Sequence, residues 1–346
     1  MTDSRILKYI SINDLSKLPG FLFMKTHSIN VTMKVGIIGA GFVGAACAKA
    51  MLLRGICQEI VLIDKKRELA QGLSLDLSHG AVLCQATHIY AGDYSDLADA
   101  NIVIITAGIN EKAGKAIDRK DVQGRLRLLP QNYVIYQDIV PKILQKTTTA
   151  PILVVTDPPD PLADIAREIV LSSGASNQII SSGTFLDTVR FQIQIAKEFN
   201  CHPSSIDAMV IGEHGTSQVY VWSSARIGGE LILDIVERNG WDKTDFKSNI
   251  EKRVKYANIE IIEGTGASQH GIGIVVSRIV EAMLRNEGLV VPIGIFQPAY
   301  GVTLSLPAII NQEGVSEVIA LTLSDSERAA LESSASLIRS ALESLN

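Results

Sequence analysis

Residues 33–64 constrain the fold more than any other stretch. An apolar run of strand length, MKVGIIG at 33–39, leads directly into the turn GAGFVG at 39–44. A helix-forming stretch rich in Ala and Leu follows, and then a second apolar run, EIVLI at 59–63, which ends on Asp64. Unbroken apolar runs mark strands buried on both faces, and a helix between two of them makes the strands parallel. The pattern therefore predicts an α/β, doubly wound parallel sheet. Gly39 permits the tight turn, Gly41 lets backbone N–H groups approach an anion, and Gly44 lets helix and strand pack closely. The helix N-terminus offers its partial positive charge to a diphosphate. Asp64 stands twenty residues beyond Gly44, where a carboxylate can accept both hydroxyls of a ribose and repel a 2′-phosphate. NAD is thus favoured over NADP, although Lys65, Lys66 and Arg67 place compensating charge nearby.

Two more strands continue the pattern. NIVIIT at 101–106 is followed by Ala107-Gly108, and PILVVT at 151–156 runs into Asp157-Pro158-Pro159-Asp160. Ligands of such sheets gather at these strand C-termini. The chain divides into an N-terminal extension (1–32), a Rossmann-type NAD-binding domain (33–180) and an α+β substrate or catalytic domain (181–346). In the extension, Asp3 and Asp14 argue against a transit peptide, and the apolar patch at 21–24 is too short for a secretory signal. The extension reads as an ordered appendage or a frayed tail, with Met24 and Met33 as alternative starts.

Composition narrows the function. Hydrophobic residues make up 47% of the 346 and charged residues only 20%, which excludes a disordered chain. The net charge is -5 with no basic block, so neither nucleic acid nor a membrane surface is an expected partner. No apolar run is long enough to span a bilayer. The four cysteines, Cys47, Cys57, Cys84 and Cys201, form no CxxC pair and no metal-ligand spacing. Reduced thiols in the cytoplasm and no bound metal are expected. An anionic substrate would need its own local Arg or Lys.

Two segments in the second half carry chemistry: SGTFLDTVR at 182–190 and IGEHG at 211–215. Asp187 and Arg190 are three apart and share one face of a helix. His214, with Gly212 and Gly215 on either side, is open to close approach by a ligand. These pieces, with GAGFVG, DLSHG, TAG, RLRLLPQN, GEHGTSQVYVWSSA, ASQHGIG and GVTLSLPAII, make the chain from residue 33 onward resemble the L-lactate/malate dehydrogenase family.

The resemblance implies roles. His214 matches the proton donor and acceptor, and Asp187 the carboxylate that holds its ring. Arg190 matches the arginine that clamps the substrate carboxylate. A second catalytic arginine belongs to a loop that closes over the substrate, here enlarged to residues 109–124. The family pattern R-x-x-L-x-x-x-N is met by Arg125, Leu128 and Asn132, with Arg119 and Arg127 as competitors. The implied cofactor contacts are Gly39, Gly41, Phe42, Val43, Gly44, Asp64, Thr106, Ala107, Gly108, Asn132 and Ser182. A homodimer or homotetramer is implied as well.

The chain also departs from the family. Asp157 replaces the usual Asn, in TDPPD, and puts a carboxylate where an amide contacts the substrate oxygen. Glu111 aligns with the residue that reads the substrate side chain, where lactate enzymes have Gln and malate enzymes Arg. Ser268 and His270 lie on the other segment facing that side chain. The long loop is similar to that of 2-hydroxyisocaproate dehydrogenases. Gln192 and Asp207 stand where many bacterial relatives bind fructose 1,6-bisphosphate through a basic pair, so no activation is expected there. The resemblance implies an NAD-dependent oxidoreductase interconverting a lactate-like L-2-hydroxy acid and its 2-oxo acid. The alternatives are a malate dehydrogenase, an enzyme for a larger 2-hydroxy acid, and a catalytically weak NAD-binding sensor.

Overall fold

The computed structural model describes residues 33–85, 87–114, 116–121 and 123–345. The N-terminal extension and its readings lie outside the described residues. Met33–Asn346 forms one compact unit. Its first half runs β1 (Lys34–Ile38), α1 (Phe42–Arg54), β2 (Glu59–Ile63), α2 (Arg67–Ala81), β3 (His88–Ala91) and β4 (Ile102–Ile105). A 3-10 turn at Gly124–Leu128 leads into α3 (Leu129–Leu144), followed by β5 (Ile152–Val154), α4 (Pro159–Ser173), β6 (Ile179–Ser181) and α5 (Phe185–Glu198). Five short strands follow: β7 (Ile206–Asp207), β8 (Val210–Ile211), β9 (Val219–Tyr220), β10 (Arg226–Ile227) and β11 (Glu230–Leu231). Then come α6 (Ile232–Arg238), α7 (Lys243–Lys255), α8 (Ala257–Thr265) and α9 (His270–Leu284). The chain ends with β12 (Leu289–Gln297), β13 (Val302–Asn311), β14 (Gly314–Val318) and α10 (Asp325–Glu343).

Among the described residues the main sheet has nine strands, in the order β14-β13-β12-β6-β5-β4-β1-β2-β3. The six strands from the first half are parallel, as their unbroken apolar runs predict. Successive side chains alternate between the faces. Val35, Ile37, Ile60, Leu62, Ile102 and Ile104 pack with Val276, Ile279 and Val280 of α9. Ile38, Val61, Ile63, Val103 and Ile105 pack with Tyr136, Ile139 and Val140 of α3 and Leu162 of α4. Both faces are covered, which is the only way an all-parallel sheet avoids exposing apolar area.

The second half extends the same sheet with an antiparallel run. β12 joins at β6, where Gly294 pairs with Ser181, and continues through β13 and β14. A side chain at Gly294 would lie 2.7 Å from Asp160 Oδ1, so this seam demands glycine. A separate aromatic cluster anchors α5: Phe191 meets Trp222 edge-on at 4.7 Å, and Trp222 meets Phe246 at 5.8 Å. The C-terminal ends of β1, β4, β5 and β6 all open toward one end of the sheet, where the candidate site lies.

Candidate active site

The glycine turn after β1 is built by close contact. Gly39 has φ +105°, and a Cβ there would sit 2.6 Å from the Ala107 backbone nitrogen. Thr106, at the end of β4, donates its hydroxyl to the Gly39 carbonyl at 2.8 Å. At Gly41 an added Cβ meets nothing within 4 Å, so the turn is open on its outer side. Helix α1 starts there with no side-chain cap and no acidic residue in its first turn. Its first N–H groups are therefore free of side-chain acceptors, as a diphosphate cradle requires. Asp64 accepts the Ala40 N–H through Oδ2 and the Lys66 N–H through Oδ1, each at 2.8 Å. Both contacts fix its carboxylate beside the turn. These residues fit NAD. Phe42 is exposed, while Val43, Thr106, Gly108 and Ser182 line the same pocket as His214.

His214 sits on the turn between β8 and β9. Gly212, at φ +84°, starts this turn and pairs with Ser305 of β13. The Glu213 N–H donates to Ser334 Oγ of α10 at 2.9 Å, and the His214 N–H donates to Asp160 Oδ2 of α4 at 2.7 Å. The backbone is thus tied to two helices before the ring is considered. The His214 ring is only 8% exposed. Nδ1 is hydrogen-bonded to Asp187 Oδ2. An ionised carboxylate only accepts, so Nδ1 carries the proton and Nε2 faces the pocket. Burial alone would raise the Asp187 carboxyl. His214, Arg190 and Arg125 outweigh that effect and hold it well below the usual range. Burial and then Arg125 lower the His214 ring, with Asp187 opposing them.

Two guanidiniums flank the ring. Arg190 Nη1 lies 3.1 Å from Asp187 Oδ1, one helical turn along α5. Arg125, on the 3-10 turn, lies with Nε 3.2 Å from Asp157 Oδ2, and its side chain is only 11% exposed. That approach is not aligned as a hydrogen bond, and Nε has no acceptor among the described residues. The competitors lie elsewhere. Arg119 makes a two-pronged contact with Glu263 at 2.6 and 2.8 Å, and Arg127 donates to Asp121 at 2.5 Å. Arg125 alone of the three lines the pocket.

Glu111, Asp157 and Ser268 also line this pocket, while His270 is exposed at the start of α9. Asn132 is fully buried. It accepts the Ile109 N–H at 2.7 Å and donates to the Asp157 carbonyl at 2.6 Å. It therefore braces the two loops that carry Glu111 and Asp157. Gln192 donates to the Ala208 carbonyl at 3.0 Å. Sequence reasoning missed Asp160, which holds the His214 backbone and the Ser181 hydroxyl. Burial pushes its carboxyl up to about 7. The available signal was an acid enclosed by Pro159 and Pro161 at a helix start. Glu213 was missed too; it accepts from the N–H and hydroxyl of Ser217 at 3.1 and 2.5 Å. Among the described residues, no helix is long and apolar enough to cross a membrane.

Comparison with known proteins covers nearly all of the described chain. Residues 33–180 match the lactate/malate dehydrogenase NAD binding domain, and residues 184–346 match the lactate/malate dehydrogenase alpha/beta C-terminal domain. An L-lactate dehydrogenase of Chloroherpeton thalassium is 41% identical over 316 residues, which cover 91% of this chain and 100% of that one. The L-lactate dehydrogenase of Thermus aquaticus is 37% identical over 318 residues, covering 90% and 99%. The crystal structure of the minor L-lactate dehydrogenase from Enterococcus mundtii is 33% identical, with a TM-score of 0.82, covering 91% and 99%. Since both halves match one family in order and the relatives match end to end, the chain belongs to the lactate/malate dehydrogenase family, with that family's NAD-binding domain at its front.

Proposed function

We propose that this protein interconverts a small, lactate-like L-2-hydroxy acid and its 2-oxo acid, with NAD as the redox partner. One arrangement carries this reading: His214 Nε2 faces a pocket that also holds Arg125 and Arg190, with Asp187 behind the ring. On this reading residues 33–180 hold the cofactor and residues 181–346 supply most of the acid–base groups. Bound NADH supplies the hydride for reduction, and NAD accepts it in oxidation. Arg190 takes the substrate carboxylate in a two-point contact. Protonated Nε2 gives its proton to the carbonyl oxygen, and Asp187 stabilises the charged ring and fixes its orientation. Arg125, with Nε free of an acceptor, stabilises the charge that develops on that oxygen. In oxidation the neutral ring takes the proton. Reduction therefore falls as pH rises through the His214 pKa, and oxidation rises through the same value. The lowered ring favours oxidation near neutrality.

Glu111 supports a substrate whose side chain carries no negative charge. Two carboxylates about 4 Å apart at an effective dielectric near 20 repel by several kcal/mol, and each 1.4 kcal/mol is about tenfold in rate. A panel of 2-oxo acids assayed with NADH checks this. Pyruvate or a larger neutral 2-oxo acid should exceed oxaloacetate in kcat/KM by roughly tenfold or more, and Glu111→Arg should shift the ratio toward oxaloacetate. A native preference for oxaloacetate contradicts the reading.

We infer a symmetric homo-oligomer, as in most soluble assemblies of enzymes. Sedimentation at micromolar concentration checks it, and a monomer there refutes it. The four free thiols suit a reducing cytoplasm.

A further inference from the structure

Within the pocket, one group remains without a role. Asp157 Oδ1 lies 3.7 Å from His214 Nε2, and Oδ2 lies 3.2 Å from Arg125 Nε. An oxygen placed within hydrogen-bond reach of Nε2 on the Asp157 side also comes within reach of Asp157. An ionised Asp157 would face that oxygen as a second acceptor, and would repel it as it gains negative charge. A protonated Asp157 would face it as a donor. The structure offers a partner for that proton, because the Glu111 side chain lines the same pocket beside Asp157. Two carboxyl groups can share a hydrogen bond only when one of them is protonated.

We propose that Asp157 is a catalytic residue that works as a carboxylic acid, with its proton kept by the contact with Glu111 and donated as a hydrogen bond to the substrate oxygen that exchanges a proton with His214 Nε2. This rests on the function proposed above and adds to it a second donor at the reacting oxygen. No bond to Asp157 breaks. The oxygen's new proton comes from Nε2, and Asp157 keeps its own. The hydride and electrons are those of the reaction already described.

The surroundings favour the acid form. Burial pushes the Asp157 carboxyl well above the usual carboxylate range; Arg125 opposes this, and Glu111 and Asp187 add to it. Arg190 on α5 and Tyr136 on α3 also interact with Asp157 electrostatically, and His214 faces it from the turn after β8. Arg125 does not cancel the effect, because burial outweighs it.

The acid form is present below the raised Asp157 pKa and is lost as pH rises through it. Oxidation of the hydroxy acid then needs a neutral His214 and a protonated Asp157. Its kcat/KM should form a bell, rising through His214 and falling through Asp157.

The test uses the full-length enzyme with NAD and the hydroxy acid most active in the panel, starting from L-lactate. Asp157→Asn keeps a donor but cannot ionise. It should keep the acid limb and lose the alkaline one. One pH unit above the native alkaline midpoint, native activity is down about tenfold, whereas that of the variant is not. Glu111→Gln removes the carboxylate that raises its neighbour, so its alkaline limb should move to lower pH. Infrared difference spectra of the protein without substrate give a readout independent of turnover. A protonated-carboxyl band should be present in the native protein, absent in Asp157→Asn, and lost at lower pH in Glu111→Gln. An alkaline limb unmoved by Asp157→Asn overturns the proposal, as does absence of the band. So does a uniform loss of activity at every pH in a folded variant, which would indicate a purely structural role. Failure of the underlying reading looks different: there the acid limb survives when His214 is replaced by asparagine.

Discussion

Replacing His214 with asparagine should lower kcat for pyruvate reduction by roughly 10²–10⁴-fold, the usual contribution of a positioned general acid, while NADH affinity stays near the native value. The size of the effect follows from the site. Nε2 is the ring nitrogen that faces the pocket, because Nδ1 is held by Asp187. The other groups at the pocket cannot take over. Arg125 and Arg190 do not release protons at neutral pH, and in the role proposed for it Asp157 keeps its own proton. The dinucleotide turn lies on a different element, anchored by Gly39, Thr106 and Asp64, so cofactor binding does not depend on the ring. Stopped-flow reduction and NADH fluorescence titration measure the two quantities separately. Near-native turnover in a folded variant would show that the proton comes from elsewhere.

Replacing Arg125 with glutamine should lower kcat/KM by about 10²–10³-fold, the range found when one donor to a developing oxyanion is removed. It should also leave a second mark. After burial, Arg125 is the strongest influence lowering the His214 ring. Without it, the ring holds its proton to higher pH. The pH at which reduction is half lost should rise, and oxidation should begin at a correspondingly higher pH. Profiles measured in both directions check this. A loss of rate with unmoved midpoints would mean that Arg125 acts only through loop placement. Arg119→Gln is the comparison: its partner is Glu263 outside the pocket, so the midpoints should stay in place. Loss of this outer contact bears on how the loop at 109–124 is held, not on the ring.

Much of this protein was legible in order along the chain. The apolar runs ending at Gly39, Asp64, Thr106 and Thr156 located the parallel strands, because strands buried on both faces cannot alternate polar and apolar residues. The turn at 39–44 and Asp64 pointed to a cofactor grip, since a diphosphate needs glycine backbone and a helix start at that spacing. The spacing of Asp187 and Arg190 located one face of α5. What could not be read was anything requiring two distant segments to meet. The contact of Asp160 with the His214 backbone joins residues 54 apart in sequence. Asn132 bracing Ile109 and Asp157, and Arg119 turning outward to Glu263 while Arg125 turns inward, depend on how loops lie over the sheet end. The same holds for Asp157 and Glu111. Sequence alone showed two acids where the family resemblance implies other residues. Only the fold brought both side chains into the pocket that Nε2 faces, where burial disfavours two separate charges. Local chemistry is written in short spacings, because a turn or a helical face needs only neighbouring residues. The protonation state of a buried acid is set by all the charges around it, and those neighbours exist only once the chain has folded.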